Sequence, residues 1–132
     1  MTGVQTCALP IWGLNNYAQL GNGIYNIHYS SPIQIGSLTI WNSIACGYYH
    51  TAATKTDGTL WTWGSNQYGQ LGNGEFASVL TPKQVKAKCS WINVTGSSYG
   101  YSTFAINSYP RICGDLPSTF KVYIFLYSGI SP

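Results

Sequence analysis

Few side chains in this chain could do chemistry. Its 132 residues include three acids, Asp57, Glu75 and Asp115, and two histidines, His28 and His50. Asp57 belongs to a predicted hairpin turn, which leaves no carboxylate pair for general acid–base catalysis. We expect His50 to serve a structural role by bonding nearby backbone, and His28 to lie at the surface. The sequence therefore predicts no catalytic residue.

Metal and cofactor sites are also not expected. Cys46, Cys89 and Cys113 show no C-x-x-C spacing and have no companion histidine, so a zinc site is not predicted. Small buried or surface thiols are favoured over a disulfide. The glycine run Gly69–Gly74 lacks the Lys-Ser/Thr ending of a phosphate loop and indicates a turn. We predict no metal ligand and no cofactor-binding residue.

Two surface motifs have ordinary explanations. The triplet Asn93-Val94-Thr95 is a glycosylation sequon, which has meaning only in a secretory compartment. The lysines Lys83, Lys86 and Lys88 cluster near a predicted strand edge, where lysine discourages edge-to-edge pairing. A solvated edge is favoured over contact with an acidic partner.

The composition excludes several classes of protein. Only 7% of residues are charged, 15% are aromatic, and 15 are glycines, which argues against a disordered tail and against a helical bundle. The net charge of +3 is small and scattered, so nucleic acid is not an expected partner. The longest aromatic and aliphatic run, 122–127, is too short to span a membrane. No compartment is indicated.

An internal repeat is the strongest signal. Residues 12–23 and 63–74 agree at nine of twelve positions, at an offset of 51. After one deletion, 32–35 matches 82–85 and 41–44 matches 91–94, both at an offset of 50. This period is close to that of a four-stranded propeller blade.

The local pattern agrees with strands. Two β-prone runs, 50–54 and 59–63, flank Asp57-Gly58, which we expect to supply the positive-φ positions of a tight hairpin. Trp61 and Trp63 share one strand face, which indicates packing against a neighbouring sheet. Pro32 and Pro82 indicate edge segments.

One stretch permits a helical alternative. Val85, Cys89 and Ile92 have helical spacing within 83–95. The equivalent stretch 33–45 contains Gly36 and many β-branched residues. Because equivalent positions of a repeat share a structure, we favour extended chain or loop.

These pieces resemble the regulator-of-chromosome-condensation repeat family. The matching segments are 46–53, 57–64, 66–74 and 82–85, and the resemblance extends over about 12–107. It implies a β-propeller, usually of seven blades. Two departures stand out: 96–105 lacks the family histidine, and no second Asp-Gly-Thr-Leu-Trp follows Ala105.

The two ends differ from the repeats. Residues 1–11 resemble a translated sequencing adapter, so we expect them to be non-native, with Cys7 among them. Residues 108–132 form a divergent C-terminal segment in which 121–127 could be one strand. The expected organisation is therefore 1–11, the repeats at 12–107, and 108–132.

The predicted fold is all-β: an open arc of about two antiparallel, four-stranded blades from a partial β-propeller. A closed ring of even four blades needs about 200 residues at this period, more than the chain has. The end blades should expose apolar faces, and we expect the isolated chain to be marginally stable or prone to aggregate.

The leading functional hypothesis is a non-enzymatic scaffold that binds a macromolecule, with a protein as the expected partner. Recognition would lie in the variable stretches 24–31 and 75–81. The resemblance implies a first alternative, part of a guanine-nucleotide exchange regulator of a small GTPase. A second alternative is a carbohydrate-binding surface built from Tyr25, Tyr29 and Phe76.

Overall fold

The computed structural model describes residues 9–36, 41–85, 90–96, 100–107 and 122–124, and every regular element in these ranges is a β-strand. The strands, in chain order, are β1 (Leu9–Gly13), β2 (Tyr29–Ile35), β3 (Trp41–Cys46), β4 (His50–Lys55), β5 (Leu60–Gly64), β6 (Val79–Gln84), β7 (Trp91–Gly96), β8 (Thr103–Asn107) and β9 (Val122–Ile124). The prediction of an all-β fold is confirmed.

The strands form three antiparallel sheets. Sheet 1 has the order β1-β2, sheet 2 the order β3-β4-β5-β6, and sheet 3 the order β7-β8-β9. Sheet 2 is a complete four-stranded blade, whereas sheets 1 and 3 hold the last two and the first three strands of the same pattern. The described chain is therefore part of a propeller with one complete blade.

Equivalent strands repeat even their irregularities. The register shifts between Trp41 and Ser43 on β3 and again between Trp91 and Asn93 on β7, at the same offset of 50 as the sequence repeat. A β-bulge of this kind bends the strand and increases its twist. The second copy thus reproduces the local shape of the first.

The described residues of the 83–95 stretch are strand or irregular chain, with no helix among them. Strand β6 ends at Gln84, Val85 is buried, and β7 begins at Trp91. The extended interpretation is confirmed over these residues, and Cys89 lies outside them. Pro82 lies on β6, the edge strand of sheet 2, as a residue without an N–H donor requires.

The hairpin at Asp57-Gly58 forms, with one difference from the prediction. Gly58 has a φ of +83°, but Asp57 is not in the left-handed region. Gly58 N donates to Lys55 O at 3.0 Å and Lys55 N donates to Thr59 O at 2.9 Å, so the four-residue turn 55–58 ends in a left-handed glycine. Asp57 acts through its carboxylate, which accepts from the N and Oγ1 of Thr59 at 3.0 and 2.6 Å.

The core consists of apolar layers between the sheets. One layer joins sheets 2 and 3; its buried members are Ala52, Leu60, Val85, Trp91, Val94 and Ala105. A second lies on the opposite face of sheet 2 and contains Trp41, Ala53 and Trp63, with Trp61 half-buried against it. Trp61 and Trp63 therefore share a face, as the alternation of side chains predicts. A third cluster, Ile11, Leu20 and Ile35, belongs to sheet 1.

Trp63 connects sheet 2 to sheet 1. Its side chain is fully buried, and its Nε1 donates to the carbonyl oxygen of Gln19 at 2.9 Å. The indole lies so close to Gly21 that a Cβ there would come within 2.6 Å of Nε1. A glycine at this position of the preceding repeat is thus a steric requirement of the inter-sheet contact.

The predicted boundaries at Trp12 and Asn107 remain predictions. Strand β1 begins at Leu9, and Ile11 is buried, so the sheet includes residues assigned above to the adapter-like segment. Most of 1–11 and of 108–132 lies outside the described residues, except for Leu9–Ile11 and β9.

Candidate functional site

The long connections of all three sheets lie along one edge. Because neighbouring strands are antiparallel, the connections that follow β1, β3, β5 and β7 emerge on the same side. We call the described residues of these connections, 14–28, 47–49, 65–78 and 100–102, the loop edge. Tyr48 N donates to Gly100 O at 3.1 Å and Ser65 N to Tyr49 O at 2.8 Å, so the connections contact one another.

A buried asparagine organises the long loop of sheet 2. The side chain of Asn66 accepts a bond from Leu71 N at 2.9 Å. Its Nδ2 donates to Glu75 O at 2.8 Å and to Asn73 Oδ1 at 3.0 Å. Three bonds from one fully buried amide hold both ends of the loop.

The long loop of sheet 1 has the same organisation. Asn15, also fully buried, accepts from Leu20 N at 3.0 Å and donates to Ile24 O at 2.7 Å and Asn22 Oδ1 at 3.3 Å. The glycines of these loops predict turns, but the role of the two asparagines is not among the predictions made from the sequence. The signal was present, because Asn15 and Asn66 are identical at the repeat offset.

Five tyrosines from all three sheets meet at the loop edge. The ring centroids of Tyr17 and Tyr49 are 4.4 Å apart, those of Tyr49 and Tyr48 4.2 Å, those of Tyr48 and Tyr101 5.9 Å, and those of Tyr101 and Tyr68 4.7 Å. We call this continuous row the tyrosine cluster. Tyr17 and Tyr48 are 40% and 44% exposed, so the row presents ring surface to solvent.

The phenol of Tyr49 is held by its neighbour in the cluster. A hydrogen bond with Tyr48, followed by desolvation, raises the pKa of Tyr49 to about 12. Because a hydrogen bond raises the pKa of a phenol only when it stabilises the protonated form, the single O–H of Tyr49 donates to Tyr48.

His50 joins sheets 2 and 3 and is unsuited to proton transfer near neutral pH. It is buried, its Nε2 lies 2.7 Å from Thr103 Oγ1, and burial lowers its pKa to about 4. The structure supports a structural role, but the observed partner is a hydroxyl of the next sheet where nearby backbone was expected. Desolvation also raises the pKa of the Cys46 thiol, so the two do not form an activated nucleophile pair.

His28 and Lys83 lie at the surface. His28 is exposed, as expected, but its Nδ1 also accepts a bond from Asn15 N at 3.1 Å. Lys83 pairs with Glu75 at 3.3 Å on the edge strand, and both side chains are at least half exposed. Such a pair contributes little to stability. Lys86, Lys88, Cys113 and Asp115 lie outside the described residues.

Only part of the predicted sugar-stacking surface is available. Tyr25 and Phe76 are 58% and 73% exposed at the loop edge. Tyr29 instead packs against the Ile11, Leu20 and Ile35 cluster of sheet 1, because it begins strand β2 with its ring toward the core. The sequon residue Asn93 lies on β7 and accepts a short bond from Ser43 Oγ.

A pocket of about 450 Å³ lies between sheets 1 and 2, on the face of sheet 2 that carries Trp61. Lys55 is the single ionisable side chain among its described lining residues, and its Nζ lies 3.5 Å from the centre of the Trp61 ring and 5.0 Å from that of Trp41. Burial lowers the pKa of Lys55. The charge of Asp57, two residues further along the hairpin, opposes this shift.

The described residues contain no group of three or more His, Cys, Asp or Glu side chains placed to hold a metal ion. They also contain no helix that is long and apolar enough to cross a membrane.

Comparison with known proteins gives matches over most of the chain. The family model "Regulator of chromosome condensation (RCC1) repeat" matches residues 11–54 and 57–105, and a second model of that description matches 41–70. The chain is 35% identical over 79 residues to the probable E3 ubiquitin-protein ligase HERC6 of Homo sapiens, covering 58% of this chain and 8% of that protein. It is 30% identical over 108 residues to the ultraviolet-B receptor UVR8 of Arabidopsis thaliana, covering 74% and 24%.

The fold also matches a solved structure. Prp20p from Saccharomyces cerevisiae, reported with its binding properties to Gsp1p and histones, superposes with a TM-score of 0.64 at 19% identity. The match covers 75% of this chain and 26% of that one. The chain therefore spans about a quarter or less of the proteins described here.

Proposed function

Because the chain belongs to the regulator of chromosome condensation repeat family, we propose that it is a non-enzymatic scaffold that binds another protein through its loop edge. The observation that carries this proposal is the tyrosine cluster. Tyrosine is enriched where proteins bind one another, since it offers a large ring and a polar hydroxyl at low entropic cost. Here five such rings form one row across three sheets.

The remaining loop edge fits the same role. The Asn15 and Asn66 networks hold the long loops in a defined conformation, which reduces the entropy lost on binding. Tyr25 and Phe76 occupy equivalent positions at the repeat offset and project from these loops. Binding residues of a scaffold protein commonly lie on loops that the fold holds in place, and these loops carry exposed aromatic rings of that kind.

Selection from a phage library that displays random peptides and small folded domains tests the proposal without assuming a partner. Bound clones are then measured against two variants of the full chain, Tyr48→Ala at the loop edge and Thr56→Ala at the opposite edge. We expect clones to lose at least tenfold in affinity with Tyr48→Ala and to keep it with Thr56→Ala. Clones whose affinity is unchanged by Tyr48→Ala, or is lowered by Thr56→Ala, would contradict the proposal.

A finer alternative is guanine-nucleotide exchange on a small GTPase. It is favoured by the fold shared with Prp20p, a protein reported to bind Gsp1p. The chain is mixed with Gsp1p loaded with fluorescent GDP, and release is followed over time. Faster release than from Gsp1p alone supports this alternative, and unchanged release rejects it for this chain.

A further inference from the structure

We infer that Asn73, in the long loop of sheet 2, is a site of spontaneous deamidation, and that it converts faster than Asn22, its equivalent in sheet 1. Each asparagine stands before a glycine in the segment Leu-Gly-Asn-Gly, which is identical at 20–23 and 71–74. Because the two sites share this local sequence, a difference between their rates has to come from their surroundings in the fold. The inference goes beyond protein binding and does not depend on it.

Deamidation at an asparagine followed by glycine is an intramolecular reaction. The backbone nitrogen of the glycine gives its proton to water and attacks Cγ of the asparagine, and the side-chain nitrogen takes up a proton and leaves as ammonia. The succinimide ring formed in this way adds one water and opens to aspartate or isoaspartate. Glycine favours the attack because it has no Cβ to hinder the approach of its nitrogen. The rate therefore depends on how free that N–H is and on how strongly the attacked carbonyl is polarised.

The attacking N–H is occupied in sheet 1. Gly23 N donates to Leu80 O on strand β6 at 3.0 Å. This hydrogen bond has to break before the nitrogen can attack, which adds to the barrier. Among the described residues, Gly74 N has no such partner. Gly74 is also exposed, and a Cβ placed there would meet nothing within 4 Å, so water can reach the N–H and accept its proton.

The attacked carbonyl is more strongly polarised in sheet 2. Oδ1 of Asn73 accepts bonds from Asn66 Nδ2 and from Glu75 N, both at 3.0 Å. The two equivalent bonds to Oδ1 of Asn22 are longer, at 3.3 Å each. Donors aimed at a carbonyl oxygen stabilise the negative charge that develops there during nucleophilic attack. The shorter pair therefore lowers the barrier more at Asn73.

The bond from Glu75 N also positions the reacting atoms. It closes an Asx turn, which holds the side-chain carbonyl of Asn73 over the peptide bond to Gly74, and the same turn forms at Asn22. Nδ2 of Asn73, the atom that leaves, is buried and has no hydrogen-bond partner among the described residues. Its departure breaks no hydrogen bond and removes an unpaired buried donor.

Conversion of Asn73 changes the loop edge in two ways. Aspartate keeps an oxygen that can accept from Asn66 Nδ2, but it adds a negative charge two residues before Glu75. Isoaspartate lengthens the backbone by one atom between Asn66 and Glu75, whose carbonyl oxygen is a partner of the same Nδ2. The second product therefore disturbs the network that holds the loop.

Peptide mapping of the full 132-residue chain by mass spectrometry, during incubation at neutral pH, tests the inference. Fragmentation assigns each converted residue to Asn22 or Asn73, and isoaspartyl methyltransferase labels isoaspartate independently. We expect Asn73 to convert at least threefold faster than Asn22 in the folded chain. In the chain unfolded by guanidinium chloride, the two rates should differ less than twofold, because the hydrogen bonds that distinguish the sites are absent.

Glu75→Ile is the matched control variant, because it makes 71–75 identical in sequence to 20–24 and replaces an exposed side chain. The folded variant should keep at least a threefold difference between the two asparagines. Circular dichroism during incubation establishes that each sample stays folded, and the wild-type comparison stands alone if Glu75→Ile unfolds.

Four results would overturn the inference. They are equal rates or faster conversion of Asn22 in the folded wild-type chain, no conversion of either site in the time that converts both in guanidinium chloride, a threefold difference that persists in guanidinium chloride, and loss of the difference in folded Glu75→Ile.

Discussion

The two copies of the repeat differ most at their equivalent tryptophans. Trp12 and Trp63 occupy the same position of a nine-in-twelve identical segment, yet Trp12 is 57% exposed and Trp63 is fully buried. Trp63 has sheet 1 beside it, with Gln19 and Gly21 as its contacts. No described sheet lies on the corresponding side of Trp12. The local sequence thus determines which strand face an indole lies on, and a neighbouring sheet determines whether that indole is buried.

The long loops of the two copies, unlike their tryptophans, have the same contacts. Asn15 and Asn66 make the same three bonds, although among the described residues a sheet precedes the second copy and none precedes the first. Their partners all lie in their own loops. In each repeat, therefore, the long loop is held by its own residues, whereas burial of the indole needs the neighbouring sheet. Other stacked-repeat proteins show the same dependence on neighbours.

The largest expected effect contrasts the two indoles. Trp63→Ala should lower the free energy of unfolding by about 3–5 kcal/mol, because it removes a buried side chain and leaves a cavity. Trp12→Ala should cost less than about 1 kcal/mol. Chemical denaturation of both variants measures the difference. Equal losses would show that sheet 1 does not bury Trp63.

The next prediction extends the comparison to the opposite face of sheet 2. The pKa of His50 is lowered from 6.5 to about 4 by burial, so the unfolded chain binds the proton more tightly. Stability from this group is complete above pH 6.5 and is lost as the pH falls toward 4, by about 3 kcal/mol. Unfolding measured from pH 7 to 4 should show this loss, and His50→Gln should flatten that part of the profile. A wild-type profile as flat as that of His50→Gln would contradict it.

The third prediction concerns the loop asparagines. Asn66→Ala and Asn15→Ala should each cost about 2 kcal/mol, since both leave buried backbone groups unpaired. The two losses should be similar because each network is internal to its loop. Denaturation of the two variants in parallel gives the comparison, and a much smaller effect for Asn15 would mean that this loop also depends on a preceding sheet.

The smallest expected effect is at the hairpin tip of sheet 2. Hydrogen bonds from Thr59 lower the pKa of Asp57, and their loss in Asp57→Ala should cost about 1 kcal/mol. Asp57→Asn keeps an acceptor and should cost less. Because the pKa is lowered in the fold, the Asp57 contribution is present above the ordinary pKa of an aspartate and is lost as the pH falls through the folded value. Identical denaturation curves for the two variants would remove the proposed role of the carboxylate.

The strands and their repetition could be predicted from the sequence, because alternation, turn glycines and the repeat offset are local signals. The burial of Trp63 followed from the same alternation. The exposure of Trp12 could not be predicted residue by residue, since it depends on which sheets adjoin it.

The tyrosine cluster likewise could not be predicted from the sequence. Its members come from separate connections, and stacking of the sheets brings them together. The variable stretches suggest Tyr25, Tyr29 and Phe76 only for the carbohydrate-binding alternative. Of these, Tyr29 is half-buried, because its position at the start of β2 directs it toward the sheet 1 core.

The central claim is that the sheets stack as consecutive propeller blades, each of which covers the indole of the next. Fluorine NMR of the 5-fluorotryptophan-labelled chain, with and without a soluble gadolinium chelate, tests it directly. The account predicts strong broadening of the Trp12 resonance, weaker broadening of Trp61, and sharp signals for Trp41, Trp63 and Trp91. Broadening of Trp63 as strong as that of Trp12 would contradict the stacked arrangement and the loop edge that depends on it.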